Sequence, residues 1–240
     1  MRIIDKIVAK QNDLRGNRQP VIAFLGDSVT QGCFEIYVEQ GQLLTAFRSE
    51  DGYVANVKKI LGLLYPAAPV SIINAGISGQ NAELGLERLE RDVLSYKPDL
   101  VVVCFGLNDS AEGAERLSAY ETALTEIFTR IQETGAEVIF MTPNTRSDYE
   151  DYHNDNAVIE QVIRTVSQGE RDGLLRMFLD SARRIAGEKN IPVCDCHALW
   201  ELMRNRGVNT NKLLSNEVNH PTKELHWMFA YELVRTMLER

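Results

Sequence analysis

Five short apolar segments, rich in β-branched residues, alternate with stretches in which apolar residues recur every three or four positions. The segments are residues 21–25, 70–74, 100–105, 137–142 and 191–194. Their nearly continuous apolar character is typical of strands that are covered on both faces. The sequence therefore predicts an α/β fold with a five-stranded parallel sheet between two layers of helices.

Amphipathic helices are predicted between and after these strands. Their apolar positions fall within residues 53–64, 84–94, 117–131, 174–185 and 227–238. No repeat or linker divides the chain, so we expect one domain over residues 1–240. Two polar, tyrosine-bearing stretches, 30–52 and 145–173, exceed ordinary connection lengths. Such stretches are usually functional loops, here on the active-site side, and the alternative is a surface insertion with its own small helix.

Composition narrows the class of partner. The chain carries 26 Lys and Arg against 34 Asp and Glu, a net charge of −8, and is 44% hydrophobic. It is apolar enough to bury a core, which excludes disorder as a whole-chain description. The acidic balance argues against a nucleic-acid groove or an anionic membrane surface, and favours a small neutral substrate.

Membrane and export signals are weak. The longest apolar run, residues 100–107, has eight residues, far fewer than the roughly 20 that a transmembrane helix needs. Charged residues interrupt the N-terminal segment, so no signal-peptide core is predicted and a cytoplasmic location is expected.

The four cysteines, Cys33, Cys104, Cys194 and Cys196, suit a reducing compartment better than a disulfide scaffold.

Small and hydrogen-bonding residues follow three successive predicted strands. These segments are residues 26–30, 74–79 and 106–109. The carboxyl ends of parallel strands share one edge of the sheet, where ligands bind in open α/β folds. Each segment alone is also an ordinary turn. Their coincidence favours a site at this edge.

These segments contain the groups that acyl transfer requires. The Ser28 hydroxyl could attack a carbonyl carbon if a base removes its proton. The backbone N–H groups of Ser28 and Gly79 and the side-chain amide of Asn108 could then stabilise the oxyanion. Glycine suits that place because it lets backbone and substrate approach closely.

His220 is the best candidate for the base among four histidines. It precedes Pro221, which favours the first turn of a helix, so we expect His220 to cap the C-terminal helix. A helix N-terminus would favour neutral imidazole, the form that a general base needs. Glu217 is the nearest carboxylate that could orient the ring. A histidine that only caps the helix is the alternative.

The remaining histidines and Cys33 are less suited to a catalytic or metal-binding role. His226 is predicted to be packing or surface, and His153 lies in the polar stretch 145–173. His197 follows Cys194 and Cys196, but no further pair at ligand spacing completes a metal site, so no metal site is predicted. Cys33 is interpreted as loop packing.

Four blocks resemble those of the SGNH (GDSL-type) esterases and acylhydrolases. They are Gly26–Asp27–Ser28, the glycine at Gly79, Gly106–Leu107–Asn108–Asp109, and His220–Pro221. The resemblance implies a flavodoxin-like three-layer sandwich without a cofactor. It also implies Ser28 as nucleophile, His220 as base, and Ser28, Gly79 and Asn108 as the oxyanion hole.

One position departs from the family pattern. The family usually has Asp three residues before its histidine, where this chain has Glu217. Either Glu217 completes a triad or a backbone carbonyl orients His220 in a Ser–His dyad.

The sequence thus predicts a serine esterase for short acyl chains such as acetyl, on a small-molecule ester whose alcohol could be a carbohydrate. A lysophospholipase or thioesterase is one alternative. A non-catalytic protein that binds sugar or phosphate is another. The oligomeric state is not predicted.

Overall fold

The computed structural model describes residues 1–239 and contains a five-stranded parallel sheet. The strands in chain order are β1 (Val21–Gly26), β2 (Cys33–Glu39), β3 (Gln42–Phe47), β4 (Ser71–Gly76), β5 (Leu100–Cys104), β6 (Glu137–Thr142) and β7 (Val193–Asp195). The sheet order is β4-β1-β5-β6-β7, and β2 and β3 form a separate antiparallel pair. This is the flavodoxin-like order, in which the direction of winding reverses beside the first strand.

Within residues 1–239 there are ten α-helices. They are α1 (Arg2–Asn12), α2 (Ser28–Gln31), α3 (Tyr53–Leu64), α4 (Ala82–Asp92), α5 (Leu107–Ala111), α6 (Leu117–Glu133), α7 (Ala157–Arg171), α8 (Leu174–Glu188), α9 (Cys196–Asn205) and α10 (Lys223–Leu238). The predicted α/β class, the parallel five-stranded sheet and the single domain are confirmed. The five predicted helices correspond to α3, α4, α6, α8 and α10.

The central strands β1, β5 and β6 are buried on both faces, which explains why they are nearly continuous in apolar character. All five residues of β5 are buried. Phe24 of β1 packs edge-on against Tyr53 of α3 at 5.9 Å between ring centroids, and Phe140 of β6 packs in the same way against Phe128 of α6. Because α3 packs on α10 and α6 packs on α4 and α8, helices from different parts of the chain cover the sheet.

The two stretches predicted as long loops contain regular structure. Residues 30–52 fold largely as the β2–β3 hairpin, turned at Gln40 and Gly41 with φ of 51° and 77°, as a tight two-residue hairpin requires. The missed signal was period-two alternation, since Glu35, Tyr37 and Glu39 are exposed while their neighbours are more buried. Residues 145–173 contain the 15-residue helix α7. This matches the alternative of an insertion with its own helix.

Among residues 1–239, no helix is both long and apolar enough to cross a membrane. Cys33, Cys104, Cys194 and Cys196 are buried free thiols, and the sulfurs of Cys194 and Cys196 lie 3.8 Å apart.

Close packing at Gly76 fixes α2 against the sheet. Gly76 ends β4 beside Gly26 of β1, and α2 begins two residues after Gly26. A β-carbon at position 76 would overlap the backbone nitrogen of Gln31 and lie 2.7 Å from the carbonyl carbon of Thr30. The contacts are backbone, so the helix itself would have to move.

We therefore expect Gly76→Ala to destabilise the fold by about 1–3 kcal/mol, as overpacking generally does. Gly62→Ala is the matched control, because an added β-carbon at this exposed helical position in α3 meets nothing within 4 Å. That substitution should stabilise the helix by up to about 1 kcal/mol. Urea denaturation of both variants measures the difference, and equal effects would contradict the packing argument.

Candidate active site

Ser28 begins α2 at the carboxyl end of β1. The side chain of Asp27 caps this short helix by accepting a hydrogen bond from the backbone N–H of Val29 at 2.9 Å. Ser28 is 4% exposed. As the first helical residue, it has a backbone N–H without an intrahelical acceptor. The strand–turn–helix geometry therefore presents both the hydroxyl and the N–H of one residue at the sheet edge.

The imidazole of His220 lies directly against this serine. Ser28 Oγ and His220 Nε2 are 2.9 Å apart, although 192 residues separate them in the chain. His220 stands on a loop that is held by the isolated β-bridge between Leu214 and Pro221 and by the bond from Ser215 N–H to the His220 carbonyl at 2.8 Å. The fold thus unites two residues that the sequence predicted to meet.

His220 does not cap the C-terminal helix, which corrects the prediction. Helix α10 begins at Lys223 with Thr222 as its N-cap, and Pro221 belongs to the β-bridge. Burial of His220 lowers the pKa of its imidazole to about 4, and a hydrogen bond to the Phe34 backbone carbonyl opposes this shift. The ring is therefore neutral at pH 7, as expected, but desolvation is the cause rather than the helix N-terminus.

The structure does not bring Glu217 to His220. Glu217 is exposed, and its Oε2 accepts a hydrogen bond from the Tyr152 hydroxyl at 2.6 Å. The Nδ1 atom of His220 lies instead 2.8 Å from Nδ2 of Asn216. Sequence reasoning did not single out Asn216, because the family spacing points to the next residue.

The other two predicted oxyanion donors lie on the segments that follow β4 and β5. Gly79 is in the loop after β4, and Asn108 is in α5 after β5. The Asn108 amide donates to the Gln80 carbonyl at 2.8 Å, which links these two segments. Gly79 has φ of 76°, in the left-handed region that glycine adopts without strain. One hydrogen on Nδ2 of Asn108 is left for another acceptor.

A buried arginine missed by sequence reasoning joins the strand ends. Arg88 of α4 donates to the carbonyls of Gly26 at 3.0 Å and Ala75 at 2.5 Å, and to Oε1 of Gln80 at 2.5 Å. It thereby connects the ends of β1 and β4 to the loop that carries Gly79. No pattern distinguishes Arg88 from the other charged residues of α4.

The carboxyl groups of Asp27 and Asp109 are both buried at this edge of the sheet. Asp109 accepts hydrogen bonds from the backbone N–H groups of Ala82 and Gly106, each at 2.8 Å. Burial raises the pKa of Asp109 to about 6. Burial, reinforced by the charge of Asp109, raises the pKa of Asp27 to about 7. Ionisation of either group therefore costs the folded state free energy.

The remaining histidines have other partners. His226 is buried, as one predicted alternative held, and its Nδ1 accepts from the Tyr53 N–H at 3.0 Å. His153 is exposed and contacts Glu160. His197 is buried, with Glu201 3.6 Å from its Nδ1. Within residues 1–239 no three His, Cys, Asp or Glu side chains are grouped to hold a metal ion.

Asp27→Asn tests the cost of burying this carboxyl group. The pKa of Asp27 in the folded chain, about 7, exceeds its ordinary 3.8, so the folded state binds the proton more tightly. The free energy of unfolding should therefore fall as pH rises from about 4 to about 7. The amide keeps an acceptor for Val29 but cannot ionise, so the variant should lose stability less steeply, by up to about 1.4 kcal/mol per pH unit.

Urea denaturation between pH 4 and pH 8 measures this slope. Asp155→Asn, which removes an exposed carboxyl group, is the control and should follow the wild type. A slope for Asp27→Asn equal to that of the wild type would show that Asp27 ionises without cost.

Comparison with known proteins finds two curated esterases that are similar to part of this chain. The acetylxylan esterase of Geobacillus stearothermophilus is 31% identical over 131 residues, which cover 51% of this chain and 58% of that protein. The arylesterase of Vibrio mimicus is 31% identical over 114 residues, 43% of this chain and 56% of that protein. The matches thus span somewhat over half the length of these relatives.

Solved structures agree on the fold. A catalytic mutant of the Geobacillus stearothermophilus acetylxylan esterase superposes with a TM-score of 0.70 at 22% identity, covering 92% of this chain and 95% of that chain. The model of the GDSL-like lipase/acylhydrolase family matches residues 24–228. This stretch includes Ser28, Gly79, Asn108 and His220, and since it is most of the sequence, the chain belongs to the GDSL-like lipase/acylhydrolase family.

Proposed function

We propose that this protein is a serine esterase that hydrolyses short acyl esters, acetyl esters above all, through an acyl-enzyme on Ser28. The observation that carries the proposal is the 2.9 Å contact between Ser28 Oγ and His220 Nε2 in a buried setting. A hydroxyl and a neutral imidazole at this distance act as nucleophile and base when Nε2 carries the lone pair. Membership of the family and the names of the relatives support the same chemistry.

The reaction proceeds in two halves. Ser28 Oγ attacks the ester carbonyl carbon while its proton passes to Nε2 of His220, and the leaving alkoxide takes that proton to depart as alcohol. Water then attacks the acyl-enzyme with the same proton transfers, which releases the carboxylic acid and restores Ser28. In both halves the N–H groups of Ser28 and Gly79 and the Asn108 amide stabilise the oxyanion.

A polar groove beside the His220 loop suits a polyhydroxylated alcohol. Its volume is about 420 Å³, and its lining includes Glu35, Tyr152, Asn154, Asn211 and Glu217. The hydroxyl, amide and carboxylate groups offer both donors and acceptors to sugar hydroxyls. A carbohydrate leaving group is therefore proposed, in keeping with the acetylxylan esterase among the relatives.

A reducing, cytoplasmic setting is also proposed, because all four cysteines are buried thiols. Recovery of the protein from an oxidising compartment would contradict it.

Covalent labelling tests the proposed nucleophile. A fluorophosphonate probe should label the wild type at Ser28 and should not label Ser28→Ala, because the probe reacts with an activated serine hydroxyl. Ser110→Ala, at a buried serine whose hydroxyl bonds the Gly106 carbonyl at 2.7 Å, is the matched control and should label normally. A folded wild type that does not label would favour a binding protein.

Acyl-chain length separates the proposed esterase from a lipid hydrolase. Hydrolysis of p-nitrophenyl acetate should exceed that of the octanoate in kcat/KM. The reverse preference would favour a lysophospholipase or thioesterase.

Tyr152→Phe tests the groove. The substitution removes the hydroxyl that donates to Glu217 at 2.6 Å and that lines the groove. In the proposed complex the Tyr152 oxygen also accepts a hydrogen bond from a sugar hydroxyl, and losing such a bond costs about 1 kcal/mol, so KM for an acetylated xylooligosaccharide should rise roughly fivefold. The kcat/KM for p-nitrophenyl acetate should change less than about twofold.

Tyr231→Phe, at an exposed position on α10, is the control and should leave both substrates unaffected. Equal effects of Tyr152→Phe on both substrates would contradict a role of the groove in binding the alcohol.

A further inference from the structure

The side chain of Asn216 occupies the position beside His220 that a triad carboxylate would take. Asn216 is 6% exposed, and its Nδ2 lies 2.8 Å from Nδ1 of His220. The other ring nitrogen, Nε2, faces Ser28 Oγ at 2.9 Å. The imidazole therefore lies between a side-chain amide and the serine hydroxyl.

The backbone of the loop fixes which end of the amide faces the ring. Oδ1 of Asn216 accepts hydrogen bonds from the N–H groups of Val218 at 3.0 Å, Asn219 at 3.0 Å and His220 at 2.9 Å. Exchanging oxygen and nitrogen would set an NH₂ group against three N–H donors and leave all three without this acceptor. The amide nitrogen must therefore point at the ring, and it also donates to Oδ1 of Asn219 at 3.2 Å.

An amide NH₂ group can only donate, so Nδ1 of a neutral His220 must accept. Its proton then resides on Nε2, and Nε2–H donates to Ser28 Oγ. We propose that Asn216 is a positioning residue that holds resting His220 in the Nε2–H tautomer, so that the Ser28 oxygen accepts a hydrogen bond instead of donating one.

The consequence for catalysis rests on the proposed esterase function. A base that accepts the Ser28 proton needs the lone pair on Nε2, and therefore the Nδ1–H tautomer. Each turnover must begin by shifting the ring proton from Nε2 to Nδ1 against the preference that Asn216 imposes.

Serine proteases provide the physical precedent for this effect. There, asparagine in place of the triad aspartate leaves the geometry intact but stabilises the wrong tautomer, and kcat falls about 10⁴-fold. In the present chain the amide is the native residue. Asn216→Asp would place a carboxylate oxygen against Nδ1 while the other oxygen keeps the three backbone N–H donors. The carboxylate would accept Nδ1–H, and Nε2 would then receive the serine proton.

Nitrogen NMR of histidine-labelled protein tests the tautomer without any reference to activity. At neutral pH the wild type should show His220 with a proton on Nε2 and none on Nδ1, whereas Asn216→Asp should show Nδ1 protonated. Protonated Nδ1 in the wild type, or a ring state unchanged by the substitution, would overturn the proposal. A residue that only stabilised the loop would not move this signal.

Kinetics with p-nitrophenyl acetate test the consequence. Asn216→Asp should raise kcat/KM about tenfold or more, a part of the roughly 10²–10⁴-fold that a positioned general base contributes. The matched control is Asn209→Asp, the same chemical change at an exposed position, which should leave kcat/KM unchanged. A folded Asn216→Asp protein with unchanged or lower kcat/KM would overturn the claim that the amide limits the reaction.

A double variant separates this inference from the proposed function. Ser28→Ala combined with Asn216→Asp should be inactive. Hydrolysis that persists in the double variant would refute Ser28 as the nucleophile, while the NMR result on the tautomer would stand by itself.

Discussion

The parallel register of β4, β1 and β5 is the constraint on which the site depends. Gly26 of β1 is paired with Gly76 of β4 on one side and with Cys104 of β5 on the other, so the three strands end in one row. The loops that follow them must then emerge side by side. Gly76 allows α2 to lie directly on this edge, and Arg88 ties the final carbonyls of β1 and β4 together. The position of Ser28 is therefore a property of backbone packing rather than of a flexible loop.

Desolvation then determines the charge state of the site. Burial raises the pKa of Asp27 and of Asp109, and the same physical cause lowers the pKa of His220. In each case burial stabilises the neutral form relative to the charged form, because a low-dielectric environment disfavours either sign of charge. The expected neutral imidazole is thus obtained without a helix dipole. Formation of an imidazolium during catalysis is correspondingly costly, so a partner at Nδ1 has a large influence on the proposed reaction.

The sequence was sufficient to predict the parallel sheet and the contact between Ser28 and His220. Continuous apolar segments identify buried strands, and the polar residues at their ends mark one edge. The hairpin β2–β3 was missed because its alternation is short and lies in a polar stretch. Arg88 and Asn216 were missed for a different reason. Their roles follow from which backbone groups surround them, and neither spacing nor residue type encodes those surroundings.

The His220 loop shows why spacing along the chain misassigned the orienting group. Glu217 has φ of 55°, a left-handed conformation that is uncommon for a residue with a β-carbon. This turn in the backbone directs Glu217 toward Tyr152 and leaves Asn216 facing the ring. The three N–H groups that follow converge on Oδ1 of Asn216, which orients its amide. One left-handed residue therefore exchanges a carboxylate for an amide beside His220, and the chemistry of the pair follows from that exchange.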